Sequence, residues 1–191
     1  PACGSGVSRG DVTDWEIRRG SADELDALAP LWIAVHHRHV ESMPELAPYV
    51  GDDESWRERR GLYADLLAKP DTLLLLVSVG DALIGYGLAH VMPVSETWVP
   101  DTWRTGERIG EIESLSVLPE YRGSGLGSEL LDRLETHLRD RGATDLVLGA
   151  LPGNTDAIRL YERRVSPAPA LPVQAPGAGN PPRKRQGPDK P

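Results

Sequence analysis

The run Ile109–Leu138 restricts the fold more than any other part of the chain, because it must form a strand, a backbone turn and a helix in succession. Ile112, Leu115 and Val117 alternate with polar residues, the pattern of a half-buried strand. Pro119 ends that strand, since it has no N–H to give to a ladder. Arg122-Gly123-Ser124-Gly125-Leu126-Gly127 then sets glycines at alternate positions. The helix that follows carries its apolar stripe on Leu126, Leu130, Leu134 and Leu138, with Leu131 beside it. Arg139, Arg141 and Gly142 make a cationic last turn and a residue free to take positive φ.

Such a turn suits an anion. A helix start offers unpaired N–H groups and a partial positive charge, and residues without side chains let a phosphate reach the backbone. Arg122 adds a fixed cation at the mouth. Two familiar glycine loops do not fit. Gly127-Ser128-Glu129 lacks the lysine of a P-loop, and the spacing is G-x-G-x-G rather than the dinucleotide G-x-G-x-x-G.

Arg122 to Gly127, following L-S-V-L-P-E-Y, resembles the R-x-x-G-x-G acetyl-CoA signature of the GNAT superfamily of N-acetyltransferases. Asn154–Arg163 (N-T-D-A-I-R-L-Y-E-R) resembles that family's N-x-x-A-x-x-L-Y-E-K block, at the family's spacing. The likeness runs from about Trp15 to Arg164 and is strongest from Glu111 onward. It implies an α/β fold, a GNAT-like mixed and mostly antiparallel central sheet flanked by helices. It also implies acetyl-CoA as co-substrate. The loop Arg122, Gly123, Ser124, Gly125, Leu126, Gly127 and Ser128 would hold the pyrophosphate, Leu115, Ser116 and Val117 would pair with the pantetheine arm, and Asn154 would touch that arm. Tyr161 stands where the family often carries the acid for the thiolate, and a glutamate near Glu111 or Glu113 often serves as base. The implied reaction is direct transfer of an acetyl group, without a metal, to a primary amine of a small molecule or of a protein N-terminus or lysine.

The residues themselves allow this chemistry beside plainer roles. Acetyl transfer needs a polarised thioester, a deprotonated amine and a protonated thiolate. A phenol suits the last task, while Ala157, Ile158 and Tyr161 on one helix face also read as packing. Glu111 and Glu113, two apart, face one side of a strand, where a buried carboxylate can take the amine proton and an exposed one is merely solvated. His36, His37 and His39 lack a carboxylate at metal-site spacing and read as a polar helix face. Trp56, Trp98 and Trp103 read as lid or core packing, with an acceptor pocket as the alternative.

The rest of the chain sets the frame. Residues 1–14 read as a flexible leader, 15–164 as the GNAT-like domain and 165–191 as a disordered Pro/Gly-rich tail with eight prolines. The element order expected is β-α-α-β-β-β-α-β-α, with Gly80-Asp81 as a hairpin turn and Pro30 dividing the first helical segment. The family would continue with Gly-Phe and two more strands after Arg164. Their loss suggests rival readings, a catalytically silent CoA-binding or partner-binding module or a frame-shifted defective copy. Cys3 alone excludes an intramolecular disulfide framework. A net charge of −8 argues against a nucleic-acid partner, and no stretch has membrane-spanning length. The expected partners are acetyl-CoA and an amine acceptor, the expected place is the cytoplasm, and a homodimer is compatible with both.

Overall fold

A computed structural model describes residues 14–164 and 170–174. Strands β1 (Glu16–Arg19), β2 (Thr72–Val79), β3 (Ala82–Pro93), β4 (Arg108–Val117), β5 (Asp145–Ala150) and β6 (Ala170–Gln174) form one sheet in chain order. The first three pairings are antiparallel, while β4–β5 and β5–β6 are parallel. Helices α1 (Ala29–Ser42) and α2 (Asp52–Leu67) precede β2, α3 (Leu126–Asp140) crosses from β4 to β5, and α4 (Thr155–Arg164) follows β5. The element order up to α4 is the one the sequence predicts. No described helix is long and apolar enough to cross a membrane.

Two apolar layers enclose the sheet. On one face α3 buries Leu126, Leu130, Leu134 and Leu138 completely against β2, β3 and β4 residues such as Val77, Ala89 and Ile112. Each such leucine contributes on the order of 2 kcal/mol, so packing rather than propensity fixes this helix. On the other face Leu25, Leu28, Leu31, Tyr63 and Leu66 cover Leu74, Leu76, Tyr86 and Leu88. Pro30 divides the first helical segment as expected: a 3-10 segment, Ala22–Leu28, ends where α1 begins with the proline in its first turn. Glu24 accepts the Ser21 N–H at 3.0 Å, a capping-box bond.

Two features depart from the sequence reading. The segment 92–106, whose prolines and tryptophans read as a loop, begins with the last two residues of β3 and contains two 3-10 turns, Val94–Glu96 and Val99–Asp101. More consequentially, the tail read as wholly disordered supplies β6, which lies parallel to β5 from Leu146↔Ala170 to Ala150↔Gln174. Pro172 is tolerated because β6 is the edge strand among the described residues. The rest of that tail, the leader up to residue 13 and Cys3 lie outside the described residues.

One irregularity governs the site. The β3–β4 register passes from Leu88↔Ser114 to Ala89↔Ile112, so Glu113 is an extra residue, a β-bulge. Ile112 points into the α3 layer, whereas Ser114 bonds Tyr63 of α2 and Ser116 bonds the Leu31 carbonyl of α1. The β4–β5 pairing also ends at Ile112↔Leu148, although β4 runs on to Val117. From the bulge onward β4 has no partner on its β5 side among the described residues.

Candidate active site

The opened strands lead into a cleft of about 680 Å³. Its wall is β4 at Leu115, Ser116 and Val117, its floor the glycine turn, and its far side α4 with Asn154 and Tyr161. Ten sequence-predicted cofactor and catalytic residues thus meet in one place: Leu115, Ser116, Val117, Arg122, Gly123, Gly125, Gly127, Ser128, Asn154 and Tyr161. Ser116 commits its hydroxyl to the Leu31 carbonyl at 3.2 Å, so main chain is what it offers the cleft.

The turn has the geometry that an anion needs. Gly123 and Gly125 take φ of 75° and 97°, which disfavour side chains. Open space surrounds both where a Cβ would project. Gly125 is the N-cap of α3, and its carbonyl receives the N–H groups of Ser128 and Glu129, both at 3.0 Å. Arg122 donates Nε to the Val117 carbonyl at 3.0 Å, which ties the loop to the end of β4. Arg38, Arg159 and Arg163 join it along the lining, with Asp156 the carboxylate among them. Four guanidinium groups in one cleft of a protein with net charge −8 make a local field suited to phosphates.

Two of the predicted loop residues stand apart from the lining. The Ser124 hydroxyl donates to the Tyr121 carbonyl at 2.6 Å and accepts the Leu126 N–H at 3.4 Å, so it braces the turn from within. Leu126 is wholly buried as the first core residue of α3.

Asn154 starts α4, its Oδ1 accepting the Ala157 N–H at 3.4 Å. Arg38 of α1 donates to Asp156 at 2.9 Å and holds α4 across the cleft. Tyr161 lines the cleft and also packs on the α3 layer. Burial pushes its phenol up to about 12, so it stays a proton-bearing donor through the neutral range.

Glu111 and Glu113 lie beside the cleft rather than in its lining, on the α1–α2 face where the strands begin to part. Glu113 receives Arg59 of α2 at 2.5 Å, and that guanidinium lies 4.0 Å from the Trp32 ring centroid. Burial raises the Glu113 carboxyl, while the Arg59 charge pulls it down and Glu111 pushes it up. Glu111 is more open, its side chain 33% exposed, and His90 of β3 lies 3.3 Å from its Oε2. His90 is the functional candidate that the sequence did not reveal. Donor atoms of His90, Glu111 and Glu113 lie within 4.8 Å of one another, a spacing a cation can bridge, and Arg59 already sets a positive charge there.

The remaining candidates disperse. His36 is buried with Nε2 on the Val50 carbonyl at 3.1 Å, and His37 pairs with Asp52 at 2.9 Å. His39 meets Trp32 edge-on, and burial, then the charges of Arg59 and His36, lowers it to about 4. Trp98 and Trp103 stack edge to face on the surface, 48% and 41% exposed, while Trp56 packs against the α1–α2 layer.

The sequence model of the Acetyltransferase (GNAT) family matches residues 32–165. A mycothiol acetyltransferase of Saccharopolyspora erythraea is 28% identical over 134 residues, 70% of this chain and 38% of that protein. The thialysine N-epsilon-acetyltransferase of Sus scrofa is 34% identical over 83 residues, 44% of each chain. The chain therefore spans less than half the length of these two curated relatives. A predicted acetyltransferase of Clostridium acetobutylicum, solved with acetyl-CoA, shares the fold with TM-score 0.58 at 15% identity, over 78% of this chain and 87% of that one.

Proposed function

This chain belongs to the GNAT family of acetyltransferases, and we propose that it transfers the acetyl group of acetyl-CoA to a primary amine, of a small molecule or of a protein N-terminus or lysine. The observation that carries this reading is the stretch of β4 that has no partner on its β5 side among the described residues, which lies between two carboxylates and the glycine turn and faces Tyr161 across one cleft. Acetyl-CoA supplies the activated acyl group. The chain's own residues bind it, orient it and move protons.

The main chain of Gly123, Gly125 and Gly127 receives phosphate, with Arg122 as its nearest fixed cation. The open edge of Leu115–Val117 offers strand-like pairing to an extended amide-bearing arm. Glu111 takes the proton of the incoming ammonium, directly or through a water, which frees the nitrogen lone pair. The nitrogen bonds to the acyl carbon, the carbon–sulfur bond breaks, Tyr161 gives its proton to the departing thiolate, and the second proton shed by the nitrogen restores the phenol, through water. An acceptor amine is also supported by the porcine relative, which is named for an N-epsilon position.

The test is acetyl-CoA with a panel of primary amines, read by free-thiol release and by the acetyl mass increment on the amine. Both in equal amounts are expected for at least one amine. Acetyl-CoA binding with no thiol release across polyamines, amino sugars, lysine analogues and peptide N-termini would overturn the reading.

A further inference from the structure

His90 has a place that packing alone does not require. It is 4% exposed, stands opposite Glu111 in the β3–β4 register, and turns Nε2 to within 3.3 Å of Glu111 Oε2. Its Nδ1 is buried without a partner among the described residues. A neutral imidazole has one N–H donor and one acceptor nitrogen. With the proton on Nδ1, a buried donor would be orphaned and a nitrogen lone pair would face a carboxylate. With the proton on Nε2, the donor lies 3.3 Å from the carboxylate oxygen and Nδ1 alone goes unpaired, without a lone pair set against a carboxylate.

The charged groups facing His90 are Glu111 and Glu113 of β4, and behind Glu113 the Arg59 guanidinium of α2. Two carboxylates this close repel each other unless each has its own donor. Glu113 has Arg59, with both side chains mostly covered, at 18% and 23% exposed. Glu111 has His90, and it keeps the more open side chain of the two.

We infer that His90 is a positioning residue: its Nε2–H holds one oxygen of Glu111 at the parting of β4 and β5, and leaves the other oxygen to the acceptor amine. Arg59 holds Glu113 out of that role as a neutralised neighbour. The inference rests on the reading of Glu111 as the base, and it names which of the two carboxylates is held for the amine and by what.

Long-range proton–nitrogen NMR of the imidazole in the full chain reports the tautomer without any substitution. The Nε2–H form is expected, and the Nδ1–H form overturns the proposal. Kinetics supply the second arm. His90→Gln keeps an N–H within reach of Glu111, whereas His90→Leu keeps none. On the strength of a charge-assisted hydrogen bond, His90→Leu should lower kcat about tenfold or more, and His90→Gln should stay within about threefold of wild type. Acetyl-CoA affinity and Tm should separate neither pair by as much. Equal kcat losses in both variants, or losses that follow Tm alone, overturn the proposal. An inert wild-type protein would defeat the proposed transfer, and the tautomer would still decide what His90 does to Glu111.

Discussion

From Ile109 to Ile112, β4 pairs on both sides, with β3 and with β5; Glu113 is the bulge, and from Ser114 to Val117 the strand keeps β3 alone among the described residues. The first stretch is framed on both sides; Glu111 within it lies beside His90 of β3, and Glu113 at the bulge meets Arg59 of α2. The second half has a free edge and offers main chain, continuing into a turn whose glycines also offer main chain. In the proposed transfer one strand would separate two tasks, side-chain chemistry and backbone binding. The bulge at Glu113 is the joint between them, because an extra residue bends the strand and increases its twist at the point where β5 lets go.

If the division holds, damage to the backbone half should appear as lost binding. Gly125→Val forces a branched residue into φ of 97° and a side chain into open space above the turn. Acetyl-CoA affinity by calorimetry should fall on the order of a hundredfold or more. A variant that binds like wild type would remove the turn from the account.

Tyr161→Phe touches the chemistry from the other wall of the cleft. Its kcat should fall roughly ten- to a hundredfold, with acetyl-CoA affinity nearly unchanged, the signature of an interaction made in the transition state. A loss confined to Tm would return the phenol to packing against the α3 layer.

The helices behind Glu113 should also carry a pH dependence. His39, near Arg59 and Trp32, is lowered to about 4 in the folded protein from an ordinary value near 6.5. The unfolded chain then binds more protons between those values, so stability is full above about 6.5 and falls as the pH drops toward 4. Allowing for partial exposure, the loss should be roughly 1–2 kcal/mol in denaturant titrations. His39→Gln should flatten that slope; an unchanged slope would assign it to other groups.

Ser124→Ala should matter least. It removes a brace inside the turn, not a group in the cleft lining, so acetyl-CoA affinity should weaken about threefold or less. A loss as large as that of Gly125→Val would mean that the hydroxyl itself reaches the ligand.

The two halves also differ in how far the sequence discloses them. The binding half is written locally: alternation in Ile112–Val117, the stop at Pro119, the glycine spacing and the leucine stripe all fall within one short run. Asn154 and Tyr161 are placed by a second short block. The pairing of Glu111 with His90 and of Glu113 with Arg59 depends on register between elements far apart in the chain. That register depends on a bulge that nothing in E-I-E-S-L-S announces. His90 looks from sequence like one polar residue in the apolar run G-L-A-H-V-M, and only its opposite number gives it a role. β6 was hidden differently, by Pro172 inside a five-residue run, a residue that an edge position tolerates.

The separation of tasks along β4 is tested most directly by one substitution measured two ways, Glu111→Gln, for acetyl-CoA affinity by calorimetry and for kcat with the best amine. The account predicts affinity within about twofold of wild type and a kcat lower by on the order of a hundredfold, the range of a lost general base. Affinity and kcat falling together, or a kcat that does not change, would contradict it.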